Sequence, residues 1–138
     1  MAAVRQQINI AAGPRKVWRA FTTAEGLCSW WADEARVEAR EGGRIVVTTE
    51  GDDGEPQEER GLFHVLRPTR RIEIAWDKNA KVPTAGTRIA VQVARDGDET
   101  RVSIVHSGTA VDEDEELRDT LDGDWRRALR ALRSSLEG

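Results

Sequence analysis

An α+β fold is predicted for this 138-residue chain: a curved antiparallel sheet of about seven strands around one long C-terminal helix, with two short helices after strand one. Three observations predict it. From Asp112 to Leu136 the apolar residues Leu117, Leu121, Trp125, Ala128, Leu129, Leu132 and Leu136 fall on one helical stripe. From about Arg44 to Ser107 the pattern changes to short alternating strands separated by turn residues. Between the first strand and that region, two short helical patterns occur. The long helix must bury its stripe against the sheet, and a curved sheet around such a helix leaves an apolar hollow of the kind that holds small molecules.

In Val4 to Ile10 the residues Val4, Ile8 and Ile10 share one parity while Arg5, Gln7 and Asn9 share the other, the period-two mark of a half-buried strand. Gly13 and Pro14 open a helix, proline sitting where its missing N–H costs nothing, and Val17, Trp18 and Phe21 mark the buried side. Thr23 can cap a second short helix in which Leu27, Trp30 and Trp31 recur at helical spacing. The pair would form a lid or wall.

The strands follow. Arg36–Val37 is a weak candidate, Gly42-Gly43 a turn, and Arg44 to Thr49 a strand with Ile45 and Val47 on one face. Gly51-Asp52-Asp53-Gly54 is a hairpin loop. Glu58 to Leu66 and Arg71 to Trp76 flank the turn at Arg67-Pro68-Thr69-Arg70, with Ile72, Ile74 and Trp76 inward and Arg71, Glu73 and Asp77 outward. Thr87 to Ala94 and Thr100 to Ser107 are joined by Asp96-Gly97-Asp98, with Ile89, Val91 and Val93 facing the same side as Val102, Ile104 and His106. Lys78 to Gly86 is the longest connection without a pattern and is placed to gate an opening. In the terminal helix, Asp112 and Glu115 have capping-box spacing, and Arg126, Arg127, Arg130 and Arg133 crowd the later turns, where the helix dipole favours cations. Gly123 lies off the stripe and predicts a bend.

The bulk numbers bound the function. Residues 1–138 make one domain, long enough to bury about two thirds of its unfolded surface. Charged residues are 33% and the net charge is -4, with signs interspersed, which argues against a nucleic-acid footprint. Cys28 is the single cysteine, and no apolar run suits a signal peptide or a membrane span, so a cytoplasmic location without membrane insertion is expected. Five of the seven aromatic residues are Trp, which makes each Trp worth placing.

The order of elements, together with Val17-Trp18-Arg19-Ala20-Phe21-Thr22, Trp30-Trp31 and Gly42-Gly43, resembles the START-like (SRPBCC) superfamily. Gly61 followed by Phe63, Arg71 through Trp76, His106-Ser107-Gly108, and Asp124-Trp125 with Leu129 and Leu132 extend the likeness to the branch named for the activator of the 90-kDa heat-shock protein ATPase. The resemblance spans nearly the whole chain and implies the helix-grip fold with a cavity between sheet and long helix. It implies no single activity, because relatives include lipid carriers, polyketide cyclases, hormone receptors and co-chaperone domains.

The residues expected to line that cavity are Trp30, Trp31, Phe63, Ile74, Trp76, Val91, Ile104, Trp125 and Leu129, with His106 as a polar anchor. Val65 and Val102 are inward by the same parity. The plainer alternative is core: burying one such side chain stabilises a fold by roughly 1.5–3 kcal/mol, so a chain this size needs most of them with or without a guest. For His106 the plainer alternative is a satisfied core histidine bonded to a helix residue such as Asp124 or to backbone. His64 has the opposite parity and belongs outside. Cys28, beside Leu27, reads as a small core residue and not an activated thiol. Two histidines without spaced partners make no metal site, no phosphate or dinucleotide loop is present, and no cofactor is expected. The carboxylates cluster in loops and at the helix start, where solvation is the ordinary reading.

The leading expectation is a non-enzymatic binder of a small apolar or amphipathic molecule. The resemblance implies a second candidate, a module acting on a chaperone. Co-chaperone relatives carry an added N-terminal domain whereas here strand one begins at Val4, which places this reading second. A cofactor-free cyclase or hydrolase is third.

Overall fold

The computed structural model describes residues 2–51 and 53–138, so Asp52 of the expected hairpin loop lies outside the described residues. Seven strands form one antiparallel sheet: β1 (Val4–Ile10), β2 (Glu34–Val37), β3 (Arg44–Glu50), β4 (Pro56–Arg67), β5 (Arg71–Trp76), β6 (Arg88–Asp96) and β7 (Glu99–Ser107). Their order is β1-β7-β6-β5-β4-β3-β2. Strands β2 to β7 are a meander of neighbours, and β1 joins at the far edge, pairing Val4 with His106 and Ile10 with Thr100. The helices are α1 (Pro14–Thr22), α2 (Ala24–Cys28), α3 (Thr109–Glu113) and α4 (Glu115–Glu137). This is the helix-grip arrangement, with α4 laid across the inner face of the sheet.

Period-two burial follows the apolar pattern. Ile72, Ile74 and Trp76 of β5 are buried while Arg71, Glu73 and Ala75 between them are not. Leu121, Trp125, Leu129 and Leu132 of α4 are buried against this face, with Leu117, Ala128 and Leu136 half-buried beside them. Polar clips fix the helix along its length: the Gln6 side-chain amide donates to Asp122 at 2.7 Å, and the Lys16 ammonium donates to the Leu136 carbonyl at 2.9 Å. The Ala11 N–H donates to Glu137 at 2.8 Å. Among the described residues no helix is long and apolar enough to cross a membrane.

Four local expectations need correction. The β4–β5 register shifts between Phe63 and Val65, so that Phe63 opposes Ile74 but Val65 opposes Glu73 and Leu66 opposes Ile72. The extra residue is a β-bulge, which reverses facing beyond it. Val65 therefore leaves the inner face and Leu66 replaces it, while His64 is exposed as expected. Second, the terminal helix does not begin at Asp112. Asp114 adopts an extended backbone, φ -120 and ψ 100, and its carboxylate accepts from the Leu117 N–H at 3.0 Å as an N-cap. Asp112 instead accepts from the Ala2 N–H at 2.5 Å, so the capping box with Glu115 is not made, and α4 then runs unbroken through Gly123. Third, α2 ends at Cys28, and Trp30 and Trp31 lie in the turn that follows. Fourth, Cys28 is exposed, at the last position of a helix only five residues long.

Candidate ligand-binding hollow

Between α4 and the inner face of the sheet lies a half-enclosed hollow of about 420 Å³. Indoles make its wall. Trp31 is the hub, with ring centroids 5.5 Å from Trp30, 6.0 Å from Trp76 and 5.6 Å from Trp125. The four arrive from three elements. The turn after α2 supplies Trp30 and Trp31; Trp76 is the last residue of β5; Trp125 stands midway along α4. Trp76 needs Gly61 beside it, because a Cβ at that glycine would lie 2.8 Å from the indole and 2.7 Å from the Ala75 carbonyl. Trp30 is anchored edge-on to Phe21 at 4.9 Å, and its N–H donates to the Ala20 carbonyl at 2.8 Å.

Ile89, Leu117, Leu121 and Ala128 continue the apolar lining. The rim is polar. Glu50 and Gln57 come from the β3–β4 hairpin, Glu59 from β4, Pro83 and Thr84 from the connection 78–86, and Thr120, Asp124 and Arg127 from α4. That connection thus forms part of the mouth. Arg127 is paired with Asp124.

A hydrogen-bonded chain runs from the helix through the sheet to the Thr84 carbonyl, and the Thr84 side chain makes a separate bond at the rim. The Trp125 N–H can only donate, and it lies 3.0 Å from His106 Nδ1. Nδ1 is therefore the unprotonated nitrogen, and Nε2–H donates to the Thr87 hydroxyl at 2.8 Å. The Thr87 hydroxyl in turn donates to the Thr84 carbonyl at 2.6 Å, and the Thr84 hydroxyl donates to Glu59. His106 is 2% exposed. Burial pushes its pKa down from 6.5 to about 4, so the ring is neutral at pH 7. Burial also pushes the Glu59 carboxyl above the ordinary range, opposed by the Thr84 hydrogen bond. The Trp76 N–H is buried with no acceptor.

Of the residues expected at the hollow, Trp30, Trp31, Trp76, His106 and Trp125 line it. Phe63, Ile74, Val91, Ile104 and Leu129 are each at most 2% exposed and pack in the core away from it. His106 reaches the hollow with both nitrogens already bonded within the protein. The bond to a helix residue was foreseen, but the partner is Trp125 and not Asp124. Glu59 was missed because carboxylates were read as solvated, although its parity with Phe63 along β4 pointed inward. Thr84 carried no signal, since the connection has no periodicity.

A second, more open concavity of about 860 Å³ spans β2 to β5, with Arg36, Arg44, Arg60 and Lys78 around Leu62, which is 48% exposed.

The fold has counterparts among solved structures. The Aha1 dimer from Colwellia psychrerythraea superposes with a TM-score of 0.85 at 24% identity, over 99% of this chain and 97% of that one. An AHSA1-like protein from Aeromonas hydrophila gives 0.76 at 18%, over 96% and 92%. CalU16 from Micromonospora echinospora gives 0.76 at 21%, over 97% and 75%. No curated protein matches at a significant level. The family model described as Activator of Hsp90 ATPase homolog 1-like protein matches residues 11–137, and with nearly the whole length so accounted for, this chain belongs to that family.

Proposed function

We propose that the chain is a small-molecule binding protein whose guest, apolar or amphipathic, occupies the hollow between sheet and α4. The observation that carries this is the hollow itself: about 420 Å³, walled by indoles and rimmed by a few polar groups, within the usual size range of ligand sites. The state of His106 favours binding over turnover. A general base works best with a pKa near the operating pH and a free lone pair, and this ring has neither.

The neutral fluorophore N-phenyl-1-naphthylamine tests the reading. It should bind saturably, one per chain, and Ala128→Phe, which places a ring in the hollow, should weaken it about tenfold, a loss of about 1.4 kcal/mol. Binding that is absent, or equal in the variant, contradicts the assignment.

Family membership supports a second reading, a module acting on a 90-kDa heat-shock protein. The surface assigned to it is the concavity around Leu62, rimmed by Arg36, Arg44, Arg60 and Lys78. The two readings separate at Glu59 and Thr84, which line the hollow alone, and at Arg44, Arg60 and Leu62, which line the concavity alone, while Trp76 borders both.

A further inference from the structure

The lining of the hollow is electrostatically one-sided. Three carboxylates, Glu50, Glu59 and Asp124, face one guanidinium, that of Arg127, and Arg127 is already paired with Asp124. Glu59 has no cationic partner among the described residues, and its one side-chain hydrogen bond there is accepted from the Thr84 hydroxyl. A desolvated carboxylate without a counter-charge is costly, and protein folds keep such groups where something pairs with them. Across the same hollow stand the indoles of Trp31, Trp76 and Trp125, and indole is the side chain best suited to attract a cation, at up to about 6 Å from the ring centre.

From this constellation we infer that the ligand class is an amphipathic amine, its ammonium held between the Glu59 carboxylate and the tryptophan wall and its apolar body lying along Ile89 and Leu121. The inference rests on the ligand-binding reading and narrows it. An anionic amphiphile such as a fatty acid would meet three carboxylates, and a neutral one would leave Glu59 desolvated and unpaired.

The test is calorimetric titration of the full chain at pH 7.5 with 4-phenylbutylamine, 4-phenylbutan-1-ol and 4-phenylbutanoate, which share one body and differ in head-group charge. The amine should bind about tenfold or more tighter than the alcohol, and the carboxylate weakest. Glu59→Gln, which keeps an acceptor for Thr84, should abolish the preference, bringing the amine to within about twofold of the alcohol measured on the same variant. An alcohol that binds as well as the amine, or an amine preference that survives in Glu59→Gln, overturns the inference while leaving a ligand-binding hollow intact. No binding by any of the three at millimolar concentration removes the ligand reading itself. Because the head-group series is run on the unmodified protein, a variant that fails to fold does not blunt the test.

Discussion

Trp125→Ala is expected to cost about 3–5 kcal/mol of folding stability, the range for truncating a large buried aromatic. The residue is 6% exposed, sits mid-helix against β7, and touches the ring of Trp31 at 5.6 Å. Its loss removes the largest of the buried side chains on α4 and enlarges the hollow at once. Trp125→Phe separates packing from polarity. Phenylalanine keeps most of the apolar contact but leaves His106 Nδ1 without its donor, and an unsatisfied buried acceptor costs about 1–3 kcal/mol. Urea unfolding of both variants checks this. A Trp125→Phe protein as stable as the parent would mean that the Trp125–His106 hydrogen bond contributes nothing.

His106 should make the fold acid-labile. Its folded pKa is depressed to about 4 from 6.5, so the stability it contributes is fully present above about pH 6.5 and is lost as pH falls towards 4. A shift from 6.5 to about 4 corresponds to about 3 kcal/mol in the acid limit. Glu59 acts with the opposite sign. Its folded pKa is raised, so its contribution is present below 4.5 and is lost as pH rises through the folded value, which partly offsets the histidine in the acid limb. Comparison with His106→Gln isolates the histidine, since glutamine does not titrate. The stability difference between parent and variant should narrow steadily from pH 7 to pH 4.5. Parallel curves would show that the ring titrates normally, and that the Trp125–His106–Thr87 chain is not closed to water.

These effects arise from positions the sequence exposes unevenly. Strand β5 was legible to the residue, because Ile72, Ile74 and Trp76 alternate with polar or small neighbours in a central strand whose two faces differ. The stripe of α4 was equally plain, since a helix crossing one sheet face must repeat its apolar residues every three to four positions. The bulge at His64 was not legible, because one extra residue in β4 is defined only against its partner strand. The helix start was missed by two residues, since Asp112 and Asp114 are both good caps and the tie from Asp112 to the N-terminal segment decides between them.

The hollow was half legible. Parity says that Phe63, Ile74, Ile104 and Trp76 face inward, but which of them borders empty volume depends on how the two short helices and α4 close over the sheet. The large indoles, brought in from three elements, cannot fill the space as a run of branched aliphatics does. The Thr87–Thr84 and Thr84–Glu59 hydrogen bonds run through a connection with no pattern, so only the assembled structure reveals them.

Nuclear magnetic resonance of the ¹⁵N-labelled protein during titration with N-phenyl-1-naphthylamine reports most directly on where a guest sits. The indole N–H signals of Trp31 and Trp125 and the backbone amides of Glu59 and Thr84 should move together, while the backbone amides of Arg44, Arg60 and Leu62 stay in place. Movement confined to Arg44, Arg60 and Leu62, or none at saturating probe, would contradict a guest held between sheet and helix.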